Sequence, residues 1–313
     1  MQSPSPFHGV SRIDDWGVIR ARGADAATFL QGQLTNDVLS LGPTSARLAG
    51  FCSAKGRLQA SFVVWRPADD EFLLACSRGL LAPTLKRLSM FVLRAQCKLS
   101  DASDEVALWG AAGADAEALT AEATTWQRLG RDGATLIRLP DGAGVHRVLV
   151  AAPVGAGIAL APTGTLTPAV WRWLEVQSGV VTIEAATVDR FVPQMVNFEL
   201  VGGVDFQKGC YPGQEVVARS QYRGTTKRRT FLFESDALAN AGQDVFVAGA
   251  AGEPAGTVAS AAPSPDGSGS SALIELRLAA LGDGELRLGS ADGAVLRRAE
   301  LPYPLALDAE AGA

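Results

Sequence analysis

Metal-ligating residues are scarce in this chain. Cys52, Cys76, Cys97 and Cys210 stand far apart with no C-x-x-C pair, and His8 and His146 are the only histidines. That excludes a zinc knuckle and a conventional iron-sulfur ligand set, and no stably bound metal is expected. No stretch is apolar for long enough to cross a membrane. Met1–Val10 has neither the basic nor the apolar region of a secretion signal, so the expectation is a cytoplasmic protein with reduced thiols and no membrane partner. Surplus positive charge is missing too. A net charge of −5 without a polybasic tail excludes binding of nucleic acid by the whole surface and leaves only local patches. No Walker or dinucleotide glycine pattern and no internal repeat is present.

What the chain does have is apolar mass. With 313 residues and 47% hydrophobic content it can bury a large core divided over two or three units. Trp16–Arg22 reads as a strand, after which Asp25 is placed to cap a helix carrying Phe29, Leu30 and Leu34. Arg57–Arg66 alternates with Leu58, Ala60, Phe62 and Val64 on one face, and residues 67–70 turn it into a hairpin with Glu71–Cys76. Leu81, Leu85, Leu88 and Val92 then recur at helical spacing, and a helix on a small antiparallel sheet is an α+β layer. Further strands are expected near 105–109, 134–139 and 146–152. A helix is expected over 168–178, with Thr167 as N-cap, Pro168 at its first position and Gly179 ending it. Beyond Gly224 the strands shorten, at 229–234, 244–248, 255–260, 272–278 and 285–288, which predicts a small β-barrel or sandwich.

The chemistry-bearing stretch is Phe206-Gln207-Lys208-Gly209-Cys210-Tyr211-Pro212-Gly213-Gln214-Glu215. Gly209 and Pro212-Gly213 make a tight turn that presents a single thiol, and Gly213 is placed to cap a helix running from Gln214 towards Gly224. A thiol just ahead of a helix N-terminus and two residues from Lys208 is in a setting that favours thiolate. The other reading of Cys210 is a small buried hydrophobe. Tyr211 can stack on a planar ligand or on the core, while Glu215 balances the helix dipole. Lys208, Arg219, Arg223, Lys227, Arg228 and Arg229 crowd a span whose only acid is Glu215. They form either an anion-binding patch or a solvated face.

Lys-Gly-Cys-Tyr-Pro-Gly-Gln-Glu matches the signature Lys-Gly-Cys-Tyr-x-Gly-Gln-Glu. Gln33-Leu-Thr35-Asn36-Asp37 and Phe191-Val-Pro-Gln194-Met-Val-Asn197 resemble two further blocks of the same family. The chain thus resembles the YgfZ-type folate-binding proteins, relatives of the glycine-cleavage T protein (aminomethyltransferase). The resemblance runs from about residue 15 to 304 and implies a multi-lobed, ring-like T-protein-type folate-binding fold of α+β class with a small C-terminal β-barrel. Its units are expected at 1–50 with about 145–224, at about 51–144, and at 225–313.

The function implied is binding of tetrahydrofolate or a related folate. The protein would support assembly or repair of iron-sulfur clusters in client enzymes, tRNA-modifying ones among them. In that reading Cys210 is the functional thiol, Lys208 its charged neighbour, and Gly209, Tyr211, Gly213, Gln214 and Glu215 complete the motif. Candidate folate contacts are Gln33, Thr35, Asn36, Asp37, Gln194, Asn197, Glu199, Arg219 and Arg223, with a helix end and turn as the alternative for 33–37. Partners would be the clients or the assembly machinery, with a tRNA contact through Arg219–Arg229. The T-protein motif Gly-Gly-x-x-Asp-Asp falls on Lys55-Gly56-Arg57-Leu58-Gln59-Ala60, where neither aspartate is present, and a T-protein glutamate falls on Gln177. A carboxylate for acid-base work is therefore missing. The alternatives are a folate-dependent aminomethyl or one-carbon transferase and a non-enzymatic tRNA or client-protein adaptor.

Overall fold

The computed structural model describes residues 7–120, 122–156, 163–222, 226–249 and 252–305. In the first half, β1 (Gly9–Arg12), β2 (Trp16–Arg22), α1 (Ala26–Gln31), β3 (Ala46–Cys52), β4 (Leu58–Ala68), β5 (Glu71–Ser77), α2 (Arg78–Val92) and β6 (Lys98–Asp101) follow in turn. Next come β7 (Val106–Ala112), α3 (Gly113–Thr120), β8 (Arg128–Arg131), β9 (Ala134–Gly142) and β10 (Val145–Pro153). Helices α4 (Pro168–Gln177) and α5 (Gln214–Tyr222) flank a long connection. The alternation read in β4 and the stripe in α2 are both used: Ala60, Phe62 and Val64 pack with Leu81 and Leu88 under α1 and α2. Thr167 caps α4 as expected, accepting from the Val170 amide at 3.2 Å. Asp25 stands at the N-cap of α1, where its carbonyl accepts from the Phe29 amide at 2.8 Å, but its side chain does not cap the helix. Its carboxylate accepts instead from the Gln96 amide at 2.7 Å, a partner 71 residues away that local spacing cannot show.

Two antiparallel five-stranded sheets result, ordered β3-β4-β5-β2-β6 and β1-β7-β10-β9-β8. Their inner faces share one core in which Val63, Trp65 and Ala75 meet Leu108, Ile137 and Leu149, with Trp171 of α4 wedged between. Helix α3 covers the outer face of the second sheet. The expected unit boundaries at 50/51 and 144/145 do not follow these sheets. The first falls inside β3 and the second in the turn of the β9–β10 hairpin, while β1 pairs with β7 rather than with its chain neighbours.

After α5 come β11 (Arg228–Ser235), β12 (Asp244–Val247), β13 (Gly256–Pro263), β14 (Ser270–Arg277), β15 (Leu286–Leu288), β16 (Ala294–Val295) and β17 (Arg297–Ala299). They form one sheet ordered β16-β15-β12-β13-β14-β11-β17. Its two end strands are consecutive in the chain and separated by Leu296 alone, so the sheet curls into a nearly closed barrel that leaves little free edge.

Candidate functional site

The signature loop is held from three sides. Asp205 takes the amides of Gln207 and Lys208 at 2.7 and 3.2 Å, an Asx-type turn that sets the loop's entry. The Lys208 ammonium is buried and donates to the carbonyls of Gln31, the last residue of α1, and Leu34 in the turn that follows it. It also lies 4.9 Å from the Tyr211 ring centre. Burial pulls its pKa down to about 8, against the opposing charges of Asp37, Asp205 and Cys210. Lys208 is therefore a clamp on α1 rather than a free cation beside the thiol. Tyr211 joins the core, and burial raises its pKa.

Gly213 fixes the loop's exit. Its carbonyl accepts from the amides of Val216 and Val217, so it caps α5 as expected. Its φ is +80°, and a Cβ here would come within 2.4 Å of the Ser53 carbonyl and 2.5 Å of Gly56. The signature turn is thus packed directly on the β3–β4 hairpin, where the T-protein acids would fall. Gly209, by contrast, has open space around it. Gly213→Ala should cost at least about 2 kcal/mol in urea unfolding, whereas Gly209→Ala should change stability by less than about 0.5 kcal/mol. Equal effects would mean that the loop is not seated on the hairpin.

Cys210 is exposed, while Cys52, Cys76 and Cys97 are buried. Burial pushes Cys52 and Cys76 up to about 12 and raises Cys97 as well, so these three are inert as nucleophiles. Gln214 opens α5, and Glu215 pairs with Arg219 one turn on.

Most of the proposed folate contacts are engaged within the protein. Thr35 donates to the Gly203 carbonyl at 2.6 Å and accepts from the Gly50 amide at 2.7 Å. Asn36 donates to the carbonyls of Leu48 and Gly202 at 2.7 and 2.6 Å. Both side chains are buried and spent on tying the 33–37 turn to β3 and to the approach of the signature loop. Burial pushes Asp37 up, but hydrogen bonds from the Ser40 and Gln31 side chains and from the Leu39 and Ser40 amides together hold it below its usual range. Gln194 reaches the Val217 carbonyl at 2.8 Å and Asn197 the Thr230 carbonyl at 2.7 Å, which sew α5 and the barrel to the connection. Gln33, Gln194, Asn197 and Glu199 each keep one buried acceptor oxygen without a partner, but none of the four lines the cleft described below.

The basic span is largely neutralised. Arg219 pairs with Glu215, Arg228 with Glu275 and Arg229 with buried Glu199, so the patch read from the sequence is spent on ion pairs within the protein. Lys227 is exposed, and Arg223 lies outside the described residues.

A cleft lies instead between the two sheets, lined by Trp16, Ser61, Trp126, Arg147, Glu175 and Ser178. It continues past Thr182 towards Asp15, Arg172 and Ser260. Its free core is about 30 Å³, room for about one or two waters. The Glu175 carboxyl enters no hydrogen bond or ion pair among the described residues, and burial pushes its pKa up to about 7, with Arg147 opposing. Arg147 is buried with its Nε unpartnered and its guanidinium 4.6 Å from the Trp171 ring. Burial lowers its pKa to about 10. The sequence carried a signal for both. Arg147 shares the inward face of β10 with Leu149 and Ala151, and Glu175 lies one turn from Trp171, so each is a charge at a core position.

At the T-protein acid positions, the Gln59 amide donates to Asp189 at 3.2 Å, and Ala60 is core. Gln177 donates to the Ser271 hydroxyl at 3.0 Å and faces the barrel.

Paired sheets, a long connection and a curled terminal barrel define a T-protein-type fold. The aminomethyltransferase T of the glycine cleavage system from Bartonella henselae superposes with a TM-score of 0.70 over 93% of this chain and 85% of that one, at 16% identity. Residues 9–142 match the GCVT N-terminal domain. The tRNA-modifying protein YgfZ of Edwardsiella ictaluri is 36% identical over 266 residues, 75% of this chain and 74% of that protein. That of Shigella boydii is 31% identical over 244 residues, 74% of each. The chain belongs to the YgfZ family.

Proposed function

We propose that this protein binds a reduced folate in the inter-sheet cleft and, through Cys210, supports assembly or repair of iron-sulfur clusters in client enzymes, tRNA-modifying ones among them. The observation that carries the reading is the exposure of Cys210: one sulfur of four is available to a partner, on a loop clamped by Lys208, Tyr211 and Gly213. A cluster is cargo in this scheme, handled by a thiol at the surface.

The cleft supports the folate half. A pterin offers a ring N–H and an adjacent amino group, a donor pair that suits the unpartnered Glu175 carboxylate, with Trp16 and Trp126 as apolar walls. The present free core is far below the roughly 300–1,000 Å³ of ligand pockets, so entry requires the walls to part. A transferase is disfavoured because Gln59 and Ala60 supply no carboxylate where that chemistry needs one.

Calorimetric titration with tetrahydrofolate tests the reading. Glu175→Gln should weaken binding about tenfold or more. Wild-type affinity should fall towards tenfold per pH unit below about 7, because binding draws on the carboxylate form, and that slope should vanish in the variant. Absence of tetrahydrofolate binding would remove the proposal. Binding that ignores Glu175 would move it out of this cleft.

A further inference from the structure

Helix α2 presents a face that nothing in the fold explains. From Phe72 to Ser100 the chain has no Asp or Glu but carries Arg78, Lys86, Arg87, Arg94 and Lys98, in a protein of net charge −5. Of these, Arg78 donates to the Asp14 carbonyl. Lys86, Arg87, Arg94 and Lys98 enter no hydrogen bond or ion pair among the described residues, in contrast to Arg219, Arg228 and Arg229. Among the cations stand three bulky apolar side chains in water: Met90 at 58%, Phe91 at 41% and Leu93 at 87% exposure. Isolated exposed apolar residues are ordinary, but three within four positions form a patch.

Beside them a groove of about 510 Å³ runs between α2, the β3–β4 pair and residues 185–188, lined by Phe51, Leu80, Pro83, Arg87, Met90 and Val188. It shares no lining residue with the inter-sheet cleft. Pro83 lies inside α2 and lacks the N–H that the Gly79 carbonyl would accept, so one wall of the groove also carries a backbone acceptor without its helical donor.

We propose that the outer face of α2 and this groove dock an acidic amphipathic segment of a partner protein. Its apolar anchors enter beside Met90 and its carboxylates meet Lys86, Arg87 and Arg94. Charge complementarity selects an acidic partner, and the aliphatic lining selects a protein over a nucleic acid. A phosphate backbone would use the cations but leave Met90, Leu93 and the groove unfilled, whereas Met and Phe are enriched at protein interfaces. The surface is independent of the folate reading, because it touches neither Cys210 nor the cleft.

Fluorescence anisotropy on the full-length protein tests it. The probe is a labelled helical peptide with Glu and Asp on one face and Leu and Phe at i, i+3, i+4 and i+7 on the other. It should bind in a salt-dependent way. Binding should weaken about tenfold or more with Lys86→Glu plus Arg87→Glu and with Met90→Ser, and when the peptide's anchors are changed to Ala. Urea unfolding of the same variants should match wild type within about 1 kcal/mol, which confirms that they fold, and their tetrahydrofolate titration should be unchanged. No peptide binding, or binding blind to these substitutions, overturns the proposal. Labelled tRNA bound in preference and lost in the Lys86/Arg87 variant would make the face an RNA site instead. Displacement of the peptide by tetrahydrofolate would assign the groove to folate.

Discussion

Arg229→Leu should destabilise the protein by about 3–5 kcal/mol, the loss expected when one partner of a buried ion pair is removed. The Arg229 guanidinium donates to a Glu199 carboxylate oxygen and, at 2.9 Å, to the Gln194 carbonyl. Exposure of the two side chains is 16% and 6%, so neither charge has water to fall back on. Burial already raises the Glu199 pKa, and Arg229 is the group that opposes it. Without the arginine that pKa climbs further above its unfolded value. The variant therefore holds more protons folded than unfolded, and its stability should fall as pH rises past the ordinary Glu range. Adding Glu199→Gln should recover part of the loss, because the uncompensated charge is then gone. Urea unfolding at two pH values measures all three quantities. A cost below about 1 kcal/mol, with no added pH slope, would show that the pair is solvated.

That pair also marks where the sequence stops being readable. Elements set by local period were legible: the alternation of β4, the stripe of α2 and the Thr167-Pro168 start of α4 each became the predicted element. The signature turn was legible because its glycines and proline fix a backbone path. Long-range pairing was not. Thr35 and Asn36 look like ligand contacts because polar residues after a helix are free in a one-dimensional view. Their partners Gly203 and Gly202 lie 168 and 166 positions away. The basic span looked open for the same reason, since Glu275 and Glu199, which close Arg228 and Arg229, are 47 and 30 residues distant. Arg147 and Glu175 were legible in principle. A charge on an apolar face has no structural excuse unless something polar waits opposite it, and each sits on such a face of β10 or α4. Sheet order was not legible either, because β1 pairs with β7, about a hundred residues away in the chain.

Cys210→Ser should lower the activity of iron-sulfur client enzymes by about tenfold or more, while tetrahydrofolate affinity stays within about twofold of wild type. The separation follows from geometry. Cys210 is exposed and absent from the cleft lining, so changing its sulfur to oxygen removes the thiol and leaves the Glu175 site untouched. Nor does the sulfur hold the loop. Lys208 on the carbonyls of Gln31 and Leu34, Tyr211 in the core and Gly213 against Ser53 and Gly56 do that, so unfolding should be unchanged within about 0.5 kcal/mol. Alkylation supplies a readout that needs no client. Iodoacetamide should modify the native protein once, at Cys210, and the Ser variant not at all, because Cys52, Cys76 and Cys97 become reactive only on unfolding. Should client activity survive the substitution while the native protein still alkylates at this position, Cys210 would be an accessible thiol without the assigned role. Loss of folate binding together with client activity would instead place the sulfur inside the ligand site and unite the two halves of the proposal.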